Sequence, residues 1–372
     1  MAAHLLFFFY AGASVGLFLY GANCYVMLAL FLRSHRASAR AAARTIAEAE
    51  ARFVHPEGLP LVTTQIPLFN EANVAERAIR AAARIDYPCD RHEIQVLDDS
   101  TDETREIVDR TVRELQARGH CIVVLRRTDR TGFKAGALAA ALRVATGEFL
   151  AIFDADFVPP PRFLRDTLPF FLADDRMGLV QARWGHLNAD DSVLTRAQAI
   201  GIDGHFTVEQ SARTFNGLLM NFNGTAGIWR RRAILDAGGW SADTLTEDLD
   251  LSYRAQLAGW RTHFLSELEV PGELPDGVAA FKSQQFRWAK GSIQTAKKLL
   301  PRLWRDRDRS VWVKIQATLH LTHYAVHPLM LVVALFTLPA MLVFPAVFSP
   351  GFRLLLAAAM LCPPSGRTPS TS

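Results

Sequence analysis

Four short clusters carry the side chains of this chain that could do chemistry. Asp98-Asp99 precedes a serine, Asp154 and Asp156 form an Asp-x-Asp pair, Thr246-Glu247-Asp248 leads into a third acid at Asp250, and Gln284, Arg287 and Trp288 share the run QQFRW. Carboxylates alone repel a diphosphate, so acids that receive one need a divalent cation, and Mg²⁺ and Mn²⁺ prefer carboxylate and phosphate oxygens. A positioned carboxylate such as Asp248 can take the proton of an attacking hydroxyl. Lys134, in Gly132-Phe133-Lys134-Ala135-Gly136, stands where a helix start and an ammonium together favour an anion. Indole stacks on a sugar face, amide bonds hydroxyls, and guanidinium offsets phosphate charge. Each cluster also has a plainer use. A lone acid at a strand end turns a loop or caps a helix, Thr246 could cap a helix with Asp248 in its first turn, and QQFRW fits an amphipathic helix on a membrane surface.

The elements around these residues give them a common edge. Residues 60–69, 93–98, 121–126 and 148–153 read as strands, and residues 71–84, 102–118 and 134–145 as the helices between them. Such alternation predicts a parallel α/β sheet with helices on both faces, with ligands at the carboxyl ends of the strands. Asp98-Asp99 ends the second strand and Asp154-x-Asp156 the fourth, so both acidic loops fall on that edge.

Half of the 372 residues are hydrophobic, and they concentrate at the two ends of the chain. Residues 5–32 contain no charge, and a bilayer core needs about 20 apolar helical residues. Arg33, Arg36, Arg40 and Arg44 follow this stretch. Basic flanks stay in the cytoplasm, so the N-terminus is expected outside and the rest of the chain on the cytosolic side. A second apolar region starts near Thr322 and runs to about Phe348, a third begins at 352 and stops at 362, and a polar tail expected to be disordered follows from Pro363. The reading is a multi-pass membrane protein whose last span is cut short. The net charge of +4 comes largely from arginines beside the apolar ends and suits anionic lipid. No zinc-finger spacing or long basic stripe is present, which argues against a nucleic-acid partner. Cys24, Cys89, Cys121 and Cys362 lie too far apart for a metal clip and read as reduced thiols that pack like small apolar residues.

The ordered series Asp98-Asp99, Asp154/Asp156, Thr246-Glu247-Asp248 and Gln284/Arg287/Trp288 resembles the processive family-2 glycosyltransferases, the group of cellulose, chitin, hyaluronan and mannan synthases. QVLDDSTD, GFKAGAL, VQARWGHLNAD, FNGTAGIWR and ELPDGVAAFKSQQFRW are most similar to the cellulose-synthase-like glucomannan, mannan and glucan synthases. The resemblance implies a GT-A fold, α/β and Rossmann-like with a mostly parallel sheet, flanked by transmembrane helices. It divides the chain into an anchor (1–33), a basic linker helix (34–58), the catalytic domain (59–280), an amphipathic interface helix (281–310), a truncated membrane region (311–362) and a tail (363–372). It implies transfer of a hexosyl unit from GDP-mannose or UDP-glucose to a β-linked polysaccharide, with inversion and with Mg²⁺ or Mn²⁺. Asp98, Asp99 and Lys134 are then expected at the nucleotide, Asp154 and Asp156 at the metal-diphosphate, and Asp248 as the base. Glu247, Gln284, Arg287 and Trp288 are expected at the diphosphate and acceptor end, and Phe222, Asn223, Gly224 and Thr225 along the acceptor. The synthases have further C-terminal spans, so a second copy or a pore-completing partner would have to complete a polymer channel. The alternatives are a single-addition glycolipid synthase with a lipid acceptor and a non-catalytic assembly subunit.

Overall fold

The computed structural model describes residues 2–54 and 56–343, together with residue 351. Helix α1 (Ala2–Ala49) continues unbroken through the point where an anchor was expected to give way to a separate linker helix. Alanine and arginine, both strong helix formers, dominate residues 36–44 with no proline or glycine to break them. Three strand–helix units and a fourth strand follow. They are β1 (Val62–Leu68), α2 (Ala72–Ala83), β2 (His92–Asp98), α3 (Thr104–Ala117), β3 (Cys121–Leu125), α4 (Phe133–Val144) and β4 (Phe149–Ile152). Every one of these seven elements was expected from the sequence, with ends shifted by two residues at most.

The remaining elements are α5 (Phe163–Ala173), β5 (Met177–His186), α6 (Val193–Asp203), a π-helical turn (Gly204–Gln210), α7 (Ser211–Phe215), β6 (Gly227–Arg230), α8 (Arg231–Asp236), α9 (Glu247–Leu257), β7 (Arg261–Gly272), α10 (Val278–Arg305), α11 (Val311–Leu321) and α12 (Val326–Val343). One seven-stranded sheet has the order β3-β2-β1-β4-β6-β5-β7. Six strands run the same way, and β6 opposes both of its neighbours. The sheet is therefore mixed rather than parallel throughout. The chain leaves β5 at the carboxyl edge, passes through α6 and α7 on that side, and must enter β6 downward.

Apolar layers cover both faces, as strands buried on two sides require. Ile66, Ile94 and Val96 pack with Ile79, Val108 and Val112 of α2 and α3, and Leu97, Leu150 and Ile152 pack with Leu138 and Leu142 of α4. Away from the sheet, Tyr10 and Ala13 of α1 meet Val333 and Ala340 of α12, while Phe8, Phe18, Leu335 and Leu342 stay exposed. These two helices are long and apolar enough to cross a membrane, by length and composition. The stretch from 344 to 350, the short apolar run from 352 and the tail fall outside the described residues, and so does Cys362. Cys24, Cys89 and Cys121 are free but exposed, so they do not pack as core residues.

One buried charge fixes the orientation of α9. Asp250, fully buried, accepts from Arg254 Nε at 2.7 Å and lies 2.9 Å from Lys298 Nζ of α10. Arg254 also donates to the carbonyls of Ala237 and Gly239, closing the α8–α9 loop. Removing one partner of a buried pair strands the other charge. Asp250→Ala is expected to cost about 3–5 kcal/mol, read as a lower midpoint in denaturant unfolding of the detergent-solubilised chain.

Candidate active site

The carboxyl edge of the sheet brings the acidic loops together. Asp98 closes β2 with no exposed surface and accepts from Arg126 Nε at 2.8 Å and from the Ser100 amide at 3.0 Å. Asp99 is paired with Arg127, whose Nε donates at 3.1 Å. The same guanidinium donates to the Thr131 and Phe133 carbonyls, so Arg127 ties the β2 loop to the start of α4.

Lys134, in the first turn of α4, is the centre of the site. Its Nζ lies 2.5 Å from Asp154 Oδ1 and donates to the Gly224 carbonyl at 2.9 Å. Burial works against this ammonium, but Asp154, Glu247 and Asp248 outweigh it and hold its pKa above the ordinary lysine value. Asp154 is itself placed by its backbone N–H, which donates to Thr225 Oγ1 at 2.9 Å. On the β1 side, Glu71 and Asp156 are both raised to about 7, by burial and then by the nearby Asp154 charge. Glu71 was not expected at the site. It follows Asn70 at the end of β1, on the same edge as Asp98 and Asp154, and strand-end position was the signal that could have found it.

The other side is built by the 222–226 loop and α9. Gly224 has φ +85°, and a Cβ there would come within 2.9 Å of Asp248 Oδ2 and 3.4 Å of Lys134 Nζ. Only a residue without a side chain lets this loop pass so close to the carboxylate. Asp248 Oδ1 accepts from the Leu249 amide at 2.7 Å. Burial, then repulsion from Glu247, raises the Asp248 carboxyl to about 7, and burial also raises Glu247. Thr246 precedes α9 but makes no side-chain cap. Its hydroxyl sits 3.2 Å from Thr295 Oγ1, and its methyl faces Gly291 of α10, where a Cβ would approach to 2.5 Å. That contact sets α10 against the Thr246-Glu247-Asp248 turn. Arg287 of α10 is close enough to Glu247 to attract it electrostatically. Gln284, Arg287 and Trp288 are partly or fully exposed on this helix, and their side chains make no hydrogen bond among the described residues.

Two expected acceptor residues have other surroundings. Phe222 is fully buried, edge-on to Trp229 and pressed against Gly227, so its ring belongs to the core rather than to the groove. Thr225 is also fully buried, with its hydroxyl spent on Asp154. Gln181 of β5 was missed. Its amide donates to the carbonyls of Ala182, Thr225 and Ala226 and its Oε1 accepts from the Asn223 amide, bracing the whole loop. Arg126 and Arg127 were missed as well, although they directly follow β3 beside the acidic loop.

This arrangement can be set against known proteins. The sequence profile described as glycosyltransferase like family 2 matches residues 60–291. The chain belongs to that family. Glucomannan 4-beta-mannosyltransferase 2 of Arabidopsis thaliana is 44% identical over 260 residues, 69% of this chain and 49% of that protein. Glucomannan 4-beta-mannosyltransferase 1 of Oryza sativa subsp. japonica is 43% identical over 260 residues, 69% of this chain and 50% of that protein. The chain spans about half the length of these curated relatives. The solved mannosyltransferase PcManGT from Pyrobaculum calidifontis, in complex with GDP-Man and Mn²⁺, shares the fold with TM-score 0.61 and 23% identity, covering 90% of this chain and 91% of that one. The family-2 fold thus accounts for the sheet.

Gly224→Ala is expected to displace the Asp248 carboxylate while leaving the core intact. Its mark would be a loss of transferase activity of about 10²-fold or more, with stability lowered by about 1–2 kcal/mol from the left-handed backbone.

Proposed function

We propose that this chain is an inverting mannosyltransferase that extends a β-1,4-linked mannan or glucomannan, with GDP-mannose as donor and UDP-glucose as a second donor. The observation that carries this reading is the Asp248 carboxylate, raised to about 7 and held beside Gly224 and Lys134, with Asp154, Asp156 and Glu71 grouped around the same lysine. A base on one side and a diphosphate site on the other suit a single displacement. The names of the curated relatives support the sugar and linkage, and the GDP-Man complex of PcManGT supports the nucleotide.

The residues present suit a divalent cation. Glu71 and Asp156 are pushed up by burial and then by the Asp154 charge, and the nearby Lys134 offsets this only in part. Among the described residues no three His, Cys, Asp or Glu close into a complete cage. Mg²⁺ is usually bound through one or two carboxylates, its shell finished by water and phosphate oxygens. Asp154 and Asp156 would hold Mg²⁺ or Mn²⁺, which when bound supplies positive charge to the leaving diphosphate.

Asp98, Asp99 and Lys134 take the nucleotide side in this reading. Asp248 accepts the proton of the acceptor hydroxyl as its oxygen bonds to the anomeric carbon and the bond to the diphosphate breaks. Attack from the face opposite the leaving group turns an α-linked donor into a β-linked product. Asn223 and Gly224 form the wall next to Asp248. Glu247, Gln284, Arg287 and Trp288 gather at the diphosphate and the acceptor end, with Arg287 offsetting phosphate charge and Trp288 offering a stacking face. The catalytic unit is residues 59–280, with α1 and α12 in the membrane and the sheet on the cytosolic side.

Membranes carrying the chain, given Mn²⁺ and radiolabelled GDP-mannose or UDP-glucose, should yield polymer whose linkage analysis reads β-1,4. A single sugar on an extractable lipid would replace this reading with glycolipid synthesis. Asp248→Asn is expected to lower turnover about 10²–10⁴-fold with donor binding by calorimetry unchanged. Full activity in that variant would remove Asp248 as base. The pH profile follows from its sign. A base with a raised pKa is protonated and idle below it, so kcat/KM should fall about tenfold per pH unit below about 7.

A further inference from the structure

Beside the acceptor-side loop a line of polar side chains runs inward from Asn223. The π-helical turn at Gly204–Gln210 presents His205, Glu209 and Gln210 toward that loop, and π-turns recur at functional sites because they widen the helix. Arg213, with no exposed surface, donates to Glu209 Oε1 from Nε at 2.9 Å and from Nη2 at 2.8 Å. His205 Nδ1 lies 3.0 Å from Glu209 Oε2, and His205 Nε2 lies 3.1 Å from Asn223 Nδ2. Gln210 Nε2 completes the grip, 2.7 Å from Asn223 Oδ1.

The proton positions follow from Glu209. Burial would raise its carboxyl, but Arg213 and His205 outweigh burial and hold it well below the ordinary value. An ionised carboxylate only accepts, so His205 donates from Nδ1, and in the neutral ring Nε2 is the nitrogen left to accept from Asn223. Asn223 is fixed in one orientation, one residue before Gly224, whose carbonyl holds Lys134 and whose Cα faces Asp248. At its other end the line rests on the membrane helix. Ala212 and Leu218 pack on Met27 of α1, and Asn216 bonds Arg33 at 3.2 Å and Ser34 at 3.1 Å. A buried Arg–Glu pair returns little net stability for its desolvation, so stability alone is a weak reason for it.

We propose that Arg213, Glu209 and His205 are positioning residues that act through Asn223 to fix the acceptor wall opposite Asp248. This rests on the mannosyltransferase reading above. The relay sets where the acceptor sugar lies relative to the base, and it leaves donor binding alone.

The test separates the two contacts of one ring. In His205→Asn the amide replaces Nδ1, which keeps Glu209 and loses Asn223. In His205→Gln the amide reaches the place of Nε2, which keeps Asn223 and loses Glu209. With a β-1,4-manno-oligosaccharide as added acceptor, the Ala and Asn variants are expected to raise acceptor KM about tenfold. The Gln variant should recover most of that loss, and all three should bind GDP-mannose like the parent. Equal effects of Asn and Gln, or loss of donor binding in all three, would overturn the proposal in favour of a purely structural cluster. If the parent chain transfers no mannose, the functional reading fails by itself. The relay is then judged by ¹⁵N-histidine NMR of the chain in detergent micelles. A His205 Nε2 signal of an unprotonated nitrogen that moves in Asn223→Ala supports it, and an Nε2–H tautomer refutes it.

Discussion

The ammonium of Lys134 sits among carboxylates that come from separate parts of the chain. Asp154 follows β4, Glu247 and Asp248 open α9, and the Gly224 carbonyl comes from the loop before β6. At an effective dielectric near 20, opposite charges about 4 Å apart attract by about 4 kcal/mol. One point charge at the start of α4 therefore holds three other segments in register. The rest of the site is arranged around what this charge leaves uncompensated. Glu71 and Asp156 on one side and Asp248 on the other remain raised to about 7. Burial is the first cause of these shifts and the neighbouring carboxylates Asp154 and Glu247 the second.

The supports for this centre are local and distinct. Arg126 and Arg127 pair with Asp98 and Asp99, and Arg127 binds the β2 loop to the start of α4. Gln181 braces the 222–226 loop through backbone groups, and Thr225 places the Asp154 amide. Gly291 lets α10 rest against Thr246, which brings Arg287 toward Glu247 without an ion pair of its own. Asp250, two residues from Asp248, is consumed by Arg254 and Lys298. Neighbouring acids on one helix thus have separate surroundings: Asp250 is ion-paired to Arg254 and Lys298, and Asp248 is buried beside Gly224.

Much of this was legible before any coordinates. The strand–helix alternation through β4 was readable because each strand is a short β-rich run ending in a polar loop, and the two acidic loops then fall on one edge. Past β4 that reading weakened. The reversed direction of β6 depends on how the chain crosses the carboxyl edge, which no local pattern encodes. Glu71 was missed because one acid after a strand looks like any turn residue, and Gln181 because a buried amide's partners are backbone groups far away in sequence. Phe222 shows the opposite error. Its motif neighbour Gly224 does lie beside Asp248, but the Phe222 ring packs inward, edge-on to Trp229 and against Gly227. The π-turn that carries His205 and Glu209 follows α6 without a break, and its sequence has no periodic signature of its own.

The charge account is tested most directly by the linkage between metal and donor. Mn²⁺ binding to the purified chain can be titrated by calorimetry with and without GDP-mannose, in the parent and in Asp156→Asn. The expected result is weak Mn²⁺ binding alone, binding at least tenfold tighter with the nucleotide-sugar present, and loss of that gain in the variant. Donor binding of equal affinity in excess chelator would contradict a site built to receive a diphosphate through a divalent cation.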